Sequence, residues 1–432
     1  MQFMAKANSR CSASIHFKKP IQGGNIMYDL SHVTLGAITE TPESEFIMRR
    51  KKVDKILEEK GLEGMIFFNT SSIFYLTGSS LIQTERPMVY IYRAAGESAL
   101  LVPRLELEHA SAHVKNCKIY CYPEYPGERH PMEFLKAIGK ELGLENATLG
   151  ADGNGAPAVQ GYKGPALTDI FPDMKLTFMP RMITEMKIYK SPFEIMLMKE
   201  SARWGNLAHM LLQEYTKPGA NEADVSARAS AEATRIMLKT MGPCYKPTGY
   251  DSRGASAGYR GQIGPNSYFP HATMAALTFK PGDTLVTGAG ASIQGYNSEL
   301  ERVMFVGEPS KEQEKFYNYA ITAQKAAYAE IKPGKKCSDV DKAMMNFFKD
   351  NDLMKYWRHH TGHSIGTGGH EAPFFDVADD TLIVPGMCFT VEPGLYVEGL
   401  GGFRLSDTLV VTETGFELIT YYPTEIEKMI CW

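Results

Sequence analysis

Long apolar runs are missing from this sequence. No window approaches the roughly 18 consecutive apolar residues that a membrane span needs, so no membrane partner is expected. Paired cysteines are missing too. Cys11, Cys117, Cys121, Cys244, Cys337, Cys388 and Cys431 are scattered and odd in number, with no CxxC pair. That pattern favours reduced thiols and a cytoplasmic location over a disulfide framework. An excess of positive charge is also lacking: 46 Lys and Arg stand against 50 Asp and Glu, with a net charge of -4 and a pI near 6.3. A nucleic-acid footprint is therefore not expected. Solenoid-type repeats are absent. Acidic residues are absent from Met1 to Tyr28, where Lys6, Arg10, Lys18 and Lys19 are basic and serines are frequent. A transit peptide would share that composition but would carry an amphipathic face, which this segment lacks. The expectation is a disordered extension over residues 1–30, or a start upstream of Met27, outside the fold.

What remains is the composition of a soluble globular protein, 432 residues long, 44% hydrophobic and 22% charged, enough for two or three domains. Glu43 to Gly61 has helical spacing at Phe46, Ile47, Val53, Ile56 and Leu57, with Gly61 as C-cap. MIFFN, VYIY, ALLVP and ATLGAD read as short strands, with a helical pattern over residues 134–143. This alternation predicts an α/β domain over residues 40–185. Ser191 to Thr216 predicts a long helix, with Ser191 as N-cap, Pro192 at the first helical position and Glu194 completing a capping box. Further helices are expected over residues 221–241 and 310–331, among the strand-like runs TLVTGAGA, RVMFVG, CFTVEP and TLVVTETG. Strands clustered in this way fit an α+β domain over residues 187–428.

The chemistry concentrates in that second half. GYNSELER places Glu299 and Glu301 on one strand face, with Leu300 and Arg302 on the other. Two like charges on one face need a positive partner. A metal ion, a cationic substrate, a neighbouring arginine or water would each serve. NSYFPHA places His271 in a loop. HHTGHSIGTGGHEAP gathers His359, His360, His363, His370 and Glu371 among glycines. Glu392 lies inside the apolar run CFTVEPGLY, where an ionised carboxylate needs a cation or a proton. A single histidine is more often a satisfied structural residue than a catalyst.

Together these pieces resemble the creatinase/aminopeptidase P/methionine aminopeptidase family, the pita-bread fold. FPHA, GY.S...R, GHSIG, HE.P, EPG.Y and R..D occur here in that family's order. The resemblance covers most of the chain. It implies a pita-bread catalytic domain preceded by a creatinase/prolidase-type α/β domain. Peptidases of the family bind two metal ions through two aspartates, a histidine and two glutamates. Carried onto this sequence, those slots hold Gly288, Glu299, His363, Glu392 and Ser406. Two have no carboxylate, so the resemblance turns toward the metal-free creatinase branch, which also carries a glutamate in the slot of Glu301.

That branch implies a creatinase-like, metal-independent C–N hydrolase acting on a small cationic or zwitterionic compound such as creatine, with no metal and no other cofactor. Its implied roles are His271 as the catalytic proton carrier and Glu301 and Glu392 as the grip on the substrate cation. His363, His370, Tyr296 and Arg86 join them as substrate-binding residues. Arg86, in the ERP run, would meet the substrate carboxylate from the other subunit of a homodimer with composite sites. Two alternatives stand beside it. One is a metal-dependent Xaa-Pro dipeptidase or aminopeptidase P-like peptidase with a depleted site on Glu299, His363 and Glu392. The other is a non-catalytic pita-bread binding protein.

Overall fold

The computed structural model describes residues 40–94, 97–114, 117–242, 245, 248 and 254–432; the expected extension lies outside the described residues. The chain divides into two compact units, Thr41–Met186 and Lys187–Trp432.

In the first unit, helix α1 (Glu43–Lys60) ends at Gly61, whose φ of 64° lets its N–H reach back to the carbonyls of Leu57 and Glu58. The left-handed cap is the one the glycine predicts. The strands are β1 (Gly64–Phe67), β2 (Val89–Arg93), β3 (Ser98–Pro103), β4 (Lys118–Tyr122), β5 (Thr148–Ala151) and β6 (Lys175–Phe178). They form one sheet in the order β4-β3-β2-β1-β5-β6. Helices α2 (Thr70–Thr77), α3 (Leu107–His113), α4 (Phe134–Glu141), α5 (Leu167–Ile170) and α6 (Met182–Lys187) connect and follow them. Alternate strand residues feed two cores. Met65, Phe67, Tyr90, Tyr92, Leu100 and Val102 fill one, while Ile66, Val89, Ile91, Ala99 and Leu101 fill the other. A sheet covered on both faces explains why these strands read as unbroken apolar runs.

The second unit opens with α7 (Pro192–Tyr215). The Ser191 side chain accepts from the Glu194 N–H at 3.1 Å, and Glu194 accepts from the Ser191 N–H at 2.7 Å. The capping box therefore forms as the sequence predicts. Helix α8 (Glu222–Met241) follows, then β7 (Ala255–Gly258), β8 (Thr284–Val286), β9 (Gly288–Ile293), β10 (Tyr296–Asn297), β11 (Leu300–Glu301) and β12 (Val303–Val306). Helices α9 (Lys311–Glu330) and α10 (Cys337–Asp350) precede β13 (Gly362–Ser364), β14 (Glu371–Phe375), β15 (Cys388–Val391), β16 (Gly394–Val397), β17 (Gly401–Arg404), β18 (Ser406–Val411), β19 (Phe416–Leu418) and β20 (Ile430–Cys431).

The central sheet runs β10-β9-β11-β18-β15-β13-β14, with β7 on β9 and β19 on β18. Helix α7 lies so close to β9 that a β-carbon on Gly205 would sit 2.8 Å from the Gly290 α-carbon. The fold is the expected α+β arrangement. Helix α10 and strands β13 and β14 have no counterpart in the sequence reading; for the two strands, the glycines around His363 mask the period-2 signal. Among the described residues, no helix is long and apolar enough to cross a membrane.

Candidate active site

Three adjacent strands, β9, β11 and β18, carry the centre of the site. Leu300 pairs with Ala289 on one side and Asp407 on the other, and Glu301 pairs with Ser406. Glu299 and Glu301 emerge on one face, where their carboxylates and that of Glu392 lie within 4.8 Å of one another. Arg302 points the opposite way and is buried, donating to Asp407 Oδ1 at 2.8 Å and to the carbonyls of Ser406, Tyr422 and Pro423 at 3.0, 2.7 and 2.9 Å. The strand alternation read from GYNSELER holds, although the run is interrupted after Asn297 and after Glu301.

The positive partner is protein. Arg404 donates to both oxygens of Glu301, with Nη2 2.9 Å from Oε1 and Nε on Oε2. Arg260 Nη2 donates to the same Oε1 at 2.5 Å. Glu301 is only 2% exposed. This corrects the expectation that Glu301 grips a substrate cation: two guanidinia of this chain already occupy it. Arg404 also donates to Tyr396 Oη and to the Pro270 carbonyl, both at 3.1 Å, which ties the His271 loop to the site. The Tyr396 hydroxyl lies 2.7 Å from His359 Nε2, and His359 Nδ1 lies 2.9 Å from the His360 carbonyl.

Glu392 and His363 form the second pair, Oε1 to Nε2 at 3.1 Å. Burial alone would raise the Glu392 pKa, but His363 and the Arg404 charge outweigh it and hold the carboxyl at about 2. Burial likewise disfavours a charged His363, and the Glu392 carboxylate reverses that, raising its pKa. His363 Nδ1 lies 3.0 Å from the Ser364 carbonyl. The Nε2 contact is close but poorly aligned, so the buried Nε2 has no directed hydrogen-bond partner among the described residues. His370 stacks on His363 with centroids 3.8 Å apart. Its pKa is lowered, by burial first and then by the His363 charge. Glu299 is pushed up to about 8, by burial first and then by the charges of Glu392 and Glu301. Ser406 Oγ donates to its Oε1 at 2.8 Å.

The remaining expected residues divide. His271 is exposed in the loop after the Gly264–Tyr268 turn, near enough for its charge to act on His370. Tyr296 is buried and gives its hydroxyl to Glu194 of α7, which corrects its place among substrate-binding residues. Arg86 is engaged by Glu85 and by Glu124, the latter at 2.8 Å, within the first unit. Glu371 accepts from the Gly368 N–H at 2.5 Å and lies 3.7 Å from the buried Lys190 ammonium, so it shapes the glycine turn.

The residues that the sequence reading did not select as ligands or binders are Arg260 and Arg404. Arg404 lies in the R..D motif that carries the resemblance, and that motif was its available signal. Arg260 has none, since it stands 41 positions before its partner. With Glu299, Glu301 and Gly288, Arg260 borders a pocket of about 760 Å³ whose walls are otherwise mostly Gly, Ala and Ser.

A two-metal centre does not fit these residues. Gly288 and Ser406 offer no carboxylate, and a β-carbon on Gly288 would meet the Arg260 guanidinium carbon at 3.3 Å. A single ion does fit. Ligand atoms of Glu299, His363 and His370 lie within 4.8 Å of one another, and two imidazoles with one carboxylate suit a transition metal. The His363 Nδ1 contact with the Ser364 carbonyl is the outer bond that orients a ligating imidazole.

Comparison with known proteins corrects the functional expectation. An Xaa-Pro dipeptidase of Pyrococcus horikoshii is 27% identical over 377 residues, 87% of this chain and 97% of its own. A probable dipeptidase PepE of Mycobacterium tuberculosis is 28% identical over 85% of this chain and 92% of its own. The solved Xaa-Pro dipeptidase from Bacillus anthracis superposes with a TM-score of 0.72 at 25% identity, covering 89% of this chain and 99% of that one. These likenesses are to dipeptidases, so the reading as a creatinase-like C–N hydrolase is overturned, in keeping with the arginines that already satisfy Glu301. The model of the Creatinase/Prolidase N-terminal domain matches residues 49–182. That of metallopeptidase family M24 matches residues 196–413, about half of the chain. The chain belongs to metallopeptidase family M24.

Proposed function

We propose that this protein is an Xaa-Pro dipeptidase-like hydrolase of short peptides whose site holds at most one metal ion. The observation that supports it most is the extent of the likeness to Xaa-Pro dipeptidases, which runs through 87% of this chain and 97% of the relative. The clustering of Glu299, His363, His370 and Glu392 in one site supports it from the side of the chemistry.

Glu299, His363 and His370 would hold the ion, with Glu392 beside His363. When bound, such an ion polarises a carbonyl and lowers the pKa of its water. The remaining roles fall to the chain. Arg404 fixes Glu301, Tyr396 and the backbone before His271 in one network. Glu392 favours the charged form of His363, and the Ser364 carbonyl orients its ring through Nδ1. His271, exposed in its loop, is the candidate proton carrier. Positioned acid–base groups of this kind contribute about 10²–10⁴-fold.

The test is release of free proline from Gly-Pro, Ala-Pro and Leu-Pro by the purified protein, with and without Mn²⁺, beside urea release from creatine. Proline release is expected and urea release is not. No proline from any dipeptide under either condition overturns the reading.

A further inference from the structure

Gly288 stands where a ligand carboxylate is expected, and the space in front of it is not vacant. The Arg260 guanidinium lies there, with its carbon 3.3 Å and its Nη2 3.4 Å from the position a β-carbon would take. Strand pairing places it. β7 runs antiparallel to β9 with Gly258 opposite Gly288, and the chain turns over Gly288 two residues later. Arg260 itself has a φ of 52°, the left-handed region that non-glycine residues rarely adopt. That backbone turn carries a half-exposed guanidinium into the pocket beside the buried Glu301.

Glu301 does not need this second cation, because Arg404 already binds both of its oxygens. Among the described residues, Arg260 makes its one side-chain hydrogen bond to Glu301 Oε1, and its half-exposed side chain lines the pocket. A divalent cation placed between Gly288 and Glu299 would meet a permanent positive charge and would lack two carboxylates. Guanidinium does not lose its proton in the working pH range.

We infer that Arg260 is a fixed cation standing in for the second metal ion of a family M24 site: it excludes that ion and supplies positive charge to the pocket in its place. The exclusion follows from the placement and charge of Arg260 and the missing carboxylates; the electrostatic role rests on the peptidase reading.

Two arms keep the possible failures apart. In the first, Mn²⁺ is titrated calorimetrically into chelator-stripped protein without substrate. The wild type is expected to bind no more than one ion per chain. The triple variant Arg260→Met, Gly288→Asp, Ser406→Glu is expected to bind two, with a thermal melt confirming its fold. Two ions in the wild type overturn the inference, and so does a folded triple variant that still binds one or none. Should the triple variant not fold, the double variant Gly288→Asp, Ser406→Glu decides: with Arg260 in place it is expected to bind no more than one ion, and two ions overturn the exclusion. In the second arm, Arg260→Met and Arg260→Lys are assayed on the dipeptide the wild type cleaves best. Loss of one fixed electrostatic donor lowers kcat by roughly 100-fold, so that loss is expected for Met with little change in KM, and Lys is expected to recover part of it. Unchanged kcat in Arg260→Met overturns the electrostatic role. Failure of the wild type to cleave any dipeptide overturns the peptidase reading and leaves the first arm intact.

Discussion

Arg404 grips Glu301 at both carboxylate oxygens, Nη2 to Oε1 at 2.9 Å and Nε to Oε2. The two residues are 4% and 2% exposed. This two-point bond makes Glu301 one half of a structural pair rather than an open grip for a substrate cation. Bidentate guanidinium–carboxylate pairs fix geometry as well as charge. Removing one partner of a buried pair typically costs about 3–5 kcal/mol, since the other charge is left uncompensated. Glu301→Gln keeps the shape but turns an amide NH₂ toward donors. Its expected effect is a loss of roughly 3 kcal/mol of stability in chemical denaturation without any ligand. A variant as stable as the wild type would show that Arg260 and Arg404 do not depend on Glu301.

Behind β9, His209 predicts how stability responds to acid. It is fully buried, its Nε2 lies 2.7 Å from Thr287 Oγ1, and its ring meets Tyr422 edge-on with centroids 4.1 Å apart. Burial, with the Arg302 charge adding to it, lowers its pKa to about 3. A depressed folded pKa means that the unfolded chain takes up the proton first. The contribution of His209 is therefore complete above the unfolded value near 6.5 and is lost as pH falls toward 3. The slope approaches about 1.4 kcal/mol per pH unit between those limits. Denaturation midpoints at pH 7.5, 5.5 and 4.5 should fall more steeply for the wild type than for His209→Gln. Parallel curves would place the acid sensitivity elsewhere.

Gly205→Ala tests the contact between α7 and β9. Within an isolated helix alanine is better than glycine by about 1 kcal/mol. Here its β-carbon would stand 2.8 Å from the Gly290 α-carbon, backbone against backbone, with no side chain able to yield. Overpacking of this kind typically costs about 1–3 kcal/mol. The expected outcome is a lower unfolding midpoint, together with loss of activity because β9 carries Gly288 and the pocket wall. A stabilised variant would mean that the helix can move away freely.

Local rules made much of this molecule legible. The Ser191–Glu194 capping box, the Gly61 cap and the separation of Glu299 and Glu301 from Arg302 follow from neighbours within a few residues. The identity of the partner facing Glu301 does not. Arg260 and Arg404 lie 41 and 103 positions away, and only strand order brings them to one carboxylate. With that partner unseen, the missing carboxylates at Gly288 and Ser406 pointed toward a metal-free relative and an organic cation. Tyr296 shows the same limit: strand position brings it beside the site, but its hydroxyl goes to Glu194, 102 residues earlier.

Anomalous diffraction from crystals soaked in Mn²⁺ tests most directly whether the pocket is a one-ion site closed by arginine. No more than one peak per chain is expected, bounded by Glu299, His363 and His370, with the Arg260 guanidinium still over Gly288 and hydrogen-bonded to Glu301. Two peaks, or an Arg260 side chain swung out of the pocket with an ion in its place, would contradict it.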